Sequence, residues 1–173
     1  MRIIAGEYRS RKLKTVPGLD VRPTPDRLRE ALFNVLAQRI AGTVFLDAYA
    51  GSGAVGIEAL SRGASRVILI ERNHAAVEVI RENLAALGIG REVTVVRGHA
   101  SMLLRNYSAD IAFIDPPYDL EVEYTDSLNA LAQTPSELVI AQHASRVTLA
   151  GEYGRLRKTR VLKQGDNSLS FYS

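Results

Sequence analysis

The sequence predicts a doubly wound α/β domain whose sheet is mainly parallel, with antiparallel strands at its late end. Three observations lead there. Short, nearly continuous apolar runs alternate with amphipathic stretches of helical period, the pattern of parallel strands covered on both faces. A glycine-rich turn joins the first apolar run to a helix, and after residue 141 the helical period gives way to successive short strand-like runs. At 173 residues, 46% apolar and 24% charged, the chain suits one soluble domain with a sizeable core.

The elements follow in order. Residues 1–20, with Gly6, Pro17 and Gly18 among short mixed stretches, read as a small hairpin or arm. Thr24 and Pro25 mark a helix start, Thr24 as N-cap and Pro25 at the first helical position. Leu28, Leu32, Val35 and Leu36 keep helical spacing to about Ile40, and Gly42 ends the run. Residues 43–48 (TVFLDA) form the first buried strand, and residues 55–62 the helix after the glycine turn. Residues 66–71 (RVILIE) are the second strand, followed by a helix over 74–87 that places Val77, Ile80, Leu84 and Leu87 on one face. A third strand spans 92–97, a short helix 101–106, a fourth strand 110–115 (DIAFID), a helix 124–131 and a fifth strand 137–141. Residues 147–149, 156–163 and 168–172 complete the set as late strands.

Composition excludes several classes. The chain has no cysteine, so neither disulfides nor thiolate metal sites are available. His74, His99 and His143 show no metal-ligand spacing, and no metal is expected. The first residues lack the apolar core of a signal peptide, and no apolar run approaches a membrane span. A cytoplasmic protein with no membrane partner is expected. The net charge of +3 is uneven: residues 1–40 carry nine Lys/Arg against four acids, and residues 41–173 carry thirteen against fifteen. This divides the chain into a basic N-terminal arm or hairpin over 1–22 and a main domain over 23–173. Such an arm attracts a phosphate backbone through counterion release, although a solvated basic arm would look the same.

The stretch from Leu46 to Gly56 places Gly51, Gly53 and Gly56 in the spacing G-x-G-x-x-G between a predicted strand and a predicted helix. Glu71 stands eighteen residues past Gly53, at the end of the next strand. In that setting the glycines let a ligand approach the backbone, and the carboxylate can accept ribose hydroxyls. Asp47 lies four residues before Gly51. A carboxylate there opposes an anionic pyrophosphate and favours a cationic sulfonium with an α-amino group, or else it caps the following turn.

The fourth strand ends in Asp115-Pro116-Pro117-Tyr118. Ligands in open α/β sheets bind beyond the carboxyl ends of the strands. The prolines lack N–H groups and fix φ, so the segment offers stiff carbonyl acceptors. The Asp115 carboxylate and the Pro116 carbonyl can accept both protons of an exocyclic amino group and turn its lone pair toward a methyl donor. Tyr118 offers a face for stacking a flipped or unpaired base, worth roughly 1–3 kcal/mol. A sulfonium methyl is already activated, so alignment does most of the work, roughly 7–11 kcal/mol in well-oriented systems.

With these motifs on the chain, the sequence resembles the RsmD-type bacterial methyltransferases, which modify guanine N2 in 16S, the small-subunit ribosomal RNA. The resemblance rests on Asp47 to Gly56, on Glu58-Ala59-Leu60-Ser61-Arg62-Gly63-Ala64 and on Asp115 to Tyr118. It extends to the opening Arg2-Ile3-Ile4-Ala5-Gly6, to Arg11-Lys12-Leu13 and to Arg22-Pro23-Thr24 with Asp26 through Asn34. It implies a Rossmann-like class I S-adenosylmethionine-dependent methyltransferase fold and rRNA methylation. The cofactor would be held by Asp47, Ala50, Gly51, Ser52, Gly53, Glu71 and Arg72, and the target amino group by Asp115, Pro116, Pro117 and Tyr118. Arg9, Arg11, Lys12, Arg22, Thr24 and Arg27 would contact the RNA or a small-subunit assembly particle. A compact one-domain enzyme of this size could act as a monomer. His99 departs from the Asp or Asn common after the third strand. Either its imidazole or the Ala100 N–H could meet the adenine ring. Gln142 stands where relatives often carry Glu.

Rival readings explain less. A DNA adenine-N6 methyltransferase shares Asp-Pro-Pro-Tyr, but the roughly fifty residues after Tyr118 leave little room for a DNA-reading domain. A nicotinamide-dependent oxidoreductase leaves Asp47 and Asp-Pro-Pro-Tyr without a role. A non-catalytic RNA-binding module would not need the full set of transfer residues.

Overall fold

The computed structural model describes residues 1–17, 25–117 and 121–173. Five strands run parallel at the centre: β1 (Val44–Ala48), β2 (Arg66–Glu71), β3 (Val93–Arg97), β4 (Ile111–Ile114) and β5 (Leu138–Ala144). Then β6 (Glu152–Tyr153), β7 (Leu156–Gln164) and β8 (Asn167–Tyr172) join in antiparallel fashion, giving the order β3-β2-β1-β4-β5-β8-β7-β6. The chain winds outward from β1 to β3, then returns to place β4 on the other side of β1. That reversal opens a crevice beyond the carboxyl ends of β1 and β4, the usual ligand position in such sheets.

Strand alternation divides the core in two. Phe45, Leu69, Phe113 and Ile140 face the side covered by α1 (Asp26–Leu36), α2 (Ala54–Ser61) and α3 (His74–Leu87). Leu46, Ile70, Ile114 and Ala141 face the opposite side, under α4 (Ala100–Leu103) and α5 (Glu121–Leu131). Each fully buried Leu, Ile or Phe contributes roughly 1.5–3 kcal/mol, so the parallel strands must be apolar on both faces. This is why their sequences read as continuous runs.

The N-terminal hairpin is closed by an Arg2–Lys12 bridge, and Ile3 and Leu13 are buried in the first core. Its anchor is Glu58, fully buried on α2. The Glu58 carboxylate accepts Ile4 N–H at 2.8 Å, Ala5 N–H at 3.0 Å and the Arg62 Nε at 2.7 Å. Gly6 adopts φ +85°, and a Cβ there would stand 1.8 Å from the Ser61 carbonyl oxygen. Only glycine lets the hairpin lie that close to α2. Arg29 of α1, also buried, donates through Nη2 to the Arg2 carbonyl at 2.6 Å and to Asp26 at 3.0 Å.

Four local expectations are corrected. Pro25 occupies the N-cap with ψ 139°, so α1 starts one residue later, at Asp26. The Pro25 carbonyl accepts the N–H groups of Leu28 and Arg29, and Thr24 lies outside the described residues. The helix ends at Leu36, where Ala37 turns to φ +32° and a 3-10 turn (Ala37–Arg39) follows, rather than running on to Ile40. Residues 147–149 form no strand. Val147 N–H bonds the Ala144 carbonyl at 2.9 Å in a turn, and the edge of β5 away from β4 is already taken by β8. The short helix begins at Ala100 and tightens to 3-10 over Leu104–Asn106. Among the described residues, no helix is long and apolar enough to cross a membrane.

Candidate active site

β1 and β4 end level with one another, with Ala48 beside Ile114 and also beside Ile70 of β2. One step further, the carboxyl ends carry Glu71, Tyr49 and Asp115. The glycine turn closes over this end: Gly53 N–H bonds the Ala50 carbonyl at 2.7 Å, and the Gly53 carbonyl receives Ile57 N–H at 2.8 Å. Gly56 sits against the sheet, where a Cβ would meet Leu69 Cδ2 at 2.3 Å and Val67 Cγ1 at 2.9 Å. The third glycine of the motif therefore serves close packing of α2 on β2.

Three carboxylates converge here. Asp47 is buried and accepts Gly56 N–H at 2.9 Å. Burial pushes its carboxyl up to about 8, opposed by that N–H bond and reinforced by the neighbouring Asp115 and Glu71 charges. Glu71 accepts Gly51 N–H through one oxygen and Asn73 N–H through the other, both at 2.8 Å. These bonds orient its carboxylate at the mouth of the turn. The set suits a ligand that brings hydroxyl groups and a positive charge, since burial leaves Asp47 in want of a cation.

Asp115 is partly buried, Pro116 buried and Pro117 exposed at the end of β4. Tyr118 lies outside the described residues, as do Arg22 and Thr24. Ala50 and Gly53 are buried, Gly51 and Ser52 partly so, and Arg72 and His99 exposed. His99 is the N-cap position of α4, and Ala100, buried, is its first residue. Glu71 and Asp115 thus stand with the glycine turn at one end of the sheet.

The basic residues are placed differently. The hairpin packs on Ser61 at the end of α2, and Arg11 Nη2 donates to the Ala86 carbonyl near the end of α3, at 2.8 Å. The end of α2 lies roughly 12 Å from the glycine turn at 1.5 Å per residue, whereas Asn83, one turn before Ala86 on α3, reaches Ser52 of that turn. Arg9, Arg11 and Lys12 are exposed on this hairpin, and Arg27 is exposed in the first turn of α1.

Sequence reasoning missed three residues that shape this end. Tyr49 has φ +68°, which turns its side chain away from the Asp47 face toward α5. Its hydroxyl meets Glu123 at 2.6 Å and Ser127 at 2.7 Å, tying the glycine turn to the helix that follows Asp-Pro-Pro. Asn83 accepts Lys14 N–H at 2.8 Å and donates to the carbonyls of Lys14 and Ser52 at 3.1 Å, joining the hairpin to the turn. Its signal was available: an amide next to Leu84 in an otherwise apolar helix face. Tyr124, buried in α5, donates to the Gln142 carbonyl at 2.9 Å and lies 3.4 Å from the Pro116 carbonyl.

A family model described as Conserved hypothetical protein 95 matches residues 1–173. This chain belongs to that family, the RsmD type. Among relatives of the RsmD-type chain is YlbH of Bacillus subtilis (strain 168), named as a candidate rRNA methyltransferase. The two are 33% identical over 99% of this chain and 98% of the relative. Ribosomal RNA small subunit methyltransferase D of Escherichia coli (strain K12) is 44% identical over 68% of this chain, an alignment spanning 60% of that protein. The solved structure of the candidate methyltransferase yhhF from Escherichia coli superposes with TM-score 0.84 at 35% identity, covering 99% of this chain and 96% of the other. The RsmD-type chain has the class I methyltransferase fold, and its late antiparallel strands belong to that architecture.

Proposed function

We propose that this protein transfers a methyl group from S-adenosylmethionine to the exocyclic N2 amino group of a guanine in small-subunit ribosomal RNA. The observation that carries the reading is Asp115-Pro116-Pro117 at the end of β4, across the crevice from the glycine turn after β1. Relatives named for rRNA methylation support the substrate class. When bound, S-adenosylmethionine supplies an activated methyl group on a cationic sulfonium. The chain fits such a group: a Cβ at Gly51 would meet nothing within 4 Å, and buried Asp47 and hydrogen-bonded Glu71 offer the matching carboxylates.

In this reading Asp47 faces the α-amino end and Glu71 the ribose hydroxyls, while Ala50, Ser52, Gly53, Arg72, His99 and Ala100 surround the remainder. Asp115 and the Pro116 carbonyl accept the two N–H groups of the target amine, and Pro117 keeps that carbonyl stiff. This holds the nitrogen lone pair toward the methyl carbon. Once it has taken the methyl group that the cofactor would supply, the nitrogen would be cationic. Asp115 is the group at hand to take its proton. Tyr118 stacks on the base. Arg9, Arg11, Lys12, Arg22, Thr24 and Arg27 contact RNA, and the enzyme works as a cytoplasmic monomer on the free RNA or an assembly particle.

The test is transfer of radiolabelled methyl from S-adenosylmethionine to unmodified small-subunit RNA, naked and in particles, followed by nucleoside analysis. Label in N2-methylguanosine is expected. Label in N6-methyladenosine would replace guanine with adenine as the target. Asp115→Ala is expected to lower turnover on the order of a hundredfold or more while leaving cofactor affinity nearly intact. An active Asp115→Ala enzyme would sink the role given to that carboxylate.

A further inference from the structure

The last register pair between β4 and β5 is Ile114 with Ala141, so Asp115 and Gln142 occupy the next step on the two strands. Parallel neighbours in register stand about 4.8 Å apart and send their side chains to the same face. Phe113 and Ile140 face α1 and α2; Gln142 follows Ile140 on that side, paired with Leu169 of the same core, and strand alternation past Phe113 sends Asp115 the same way. From the opposite face the Tyr124 hydroxyl reaches both the Gln142 and Pro116 carbonyls, which holds the two strand ends together.

Gln142 is 1% exposed, and its Oε1 has no hydrogen-bond partner among the described residues. An apolar side chain of similar volume would fill the position without leaving an amide unmet. Buried acceptors are nearly always satisfied, and an exception beside a reaction centre points to a donor that arrives with the ligand. Guanine supplies one. Its ring N1–H lies next to the exocyclic amino group on the same edge, so an acceptor alongside Asp115 meets it as the amine docks.

We propose that Gln142 is a specificity-determining residue whose Oε1 accepts a hydrogen bond from N1–H of the guanine held by Asp115 and Pro116. This rests on the reading that the site methylates guanine N2. It goes further by naming how the base is read. Adenine presents a lone pair at N1 in place of the hydrogen and meets Oε1 with like polarity.

The decisive substrate is small-subunit RNA carrying 2-aminopurine at the mapped target position. That base keeps the 2-amino group and lacks the N1 hydrogen. For the wild-type protein, kcat/KM is expected to fall about tenfold to a hundredfold from guanine to 2-aminopurine, the range for an unmet buried polar group. For Gln142→Leu, kcat/KM on guanine is expected to drop by a similar factor and the preference over 2-aminopurine to shrink to a few-fold. Affinity for S-adenosylhomocysteine should be unchanged. A purely structural role would depress both substrates equally, and an unchanged preference in Gln142→Leu overturns the proposal. Should that variant fail to fold, the wild-type comparison still decides: equal rates on the two bases refute it. If the wild type makes no N2-methylguanosine at all, the guanine reading itself has failed. If it does and the preference ignores Gln142, only this inference has.

Discussion

Asp47 shows how one side chain can serve both structure and ligand. One of its oxygens accepts Gly56 N–H, the capping role open from sequence, and its burial raises its carboxyl from 3.8 to about 8. Below the lower value the folded and unfolded chains both hold the proton. As pH rises between about 4 and about 8 the unfolded chain ionises first, so this residue's contribution to stability is lost across that window. A bound cation reverses the preference and expels the proton. Cofactor affinity is therefore expected to rise with pH up to about 8 and flatten above it, with up to one proton released per ligand at pH 7. Calorimetry in buffers of different ionisation enthalpy measures that release. Asp47→Asn keeps an acceptor for Gly56 and should abolish the release. Absence of release in the wild type would mean that the carboxylate does not face a cation.

At the scale of elements, the N-terminal hairpin is held by buried polar groups as much as by Ile3 and Leu13. Fully buried Glu58 gathers two hairpin N–H groups and Arg62, so its removal leaves three partly buried donors without their acceptor. Glu58→Ala is expected to cost about 3–5 kcal/mol in urea unfolding, the range for breaking a buried pair. A loss below about 1 kcal/mol would mean that apolar contacts alone seat the hairpin. The residues of this anchor lay within the stretch quoted for the family resemblance, yet its purpose was invisible. Nothing in the spacing from Ala5 to Glu58 says that the two meet. The helix over 74–87 and the strand over 66–71, by contrast, stand where periodicity set them, because each carries its own start, period and stop.

Across the whole molecule, the hairpin around Tyr8 packs at the end of α2 away from the glycine turn, while Lys14 further along it is joined to that turn through Asn83. If RNA contacts both the hairpin near Tyr8 and the catalytic end, it must run along the side of the domain. Replacing Arg9, Arg11 and Lys12 with Ala should then flatten the salt dependence of RNA binding by about 2–3 in log–log slope, with little change in turnover at saturating RNA. A changed turnover with an unchanged slope would relocate the RNA path.

The sequence by itself determined the alternating architecture, the glycine turn with its acidic partners and the Asp-Pro-Pro-Tyr strand end. Each is a local pattern, written in periods of two and 3.6 or in residues with special backbone needs. Only the tertiary structure decided what comes together. It buried Gln142 one residue past the last β4–β5 register pair, where Asp115 also stands, swung Tyr49 to α5 through a positive φ, and left residues 147–149 outside the sheet. Those outcomes depend on strand order and on which groups burial leaves unmet. They are properties of packing between distant segments, and no local window of sequence contains them.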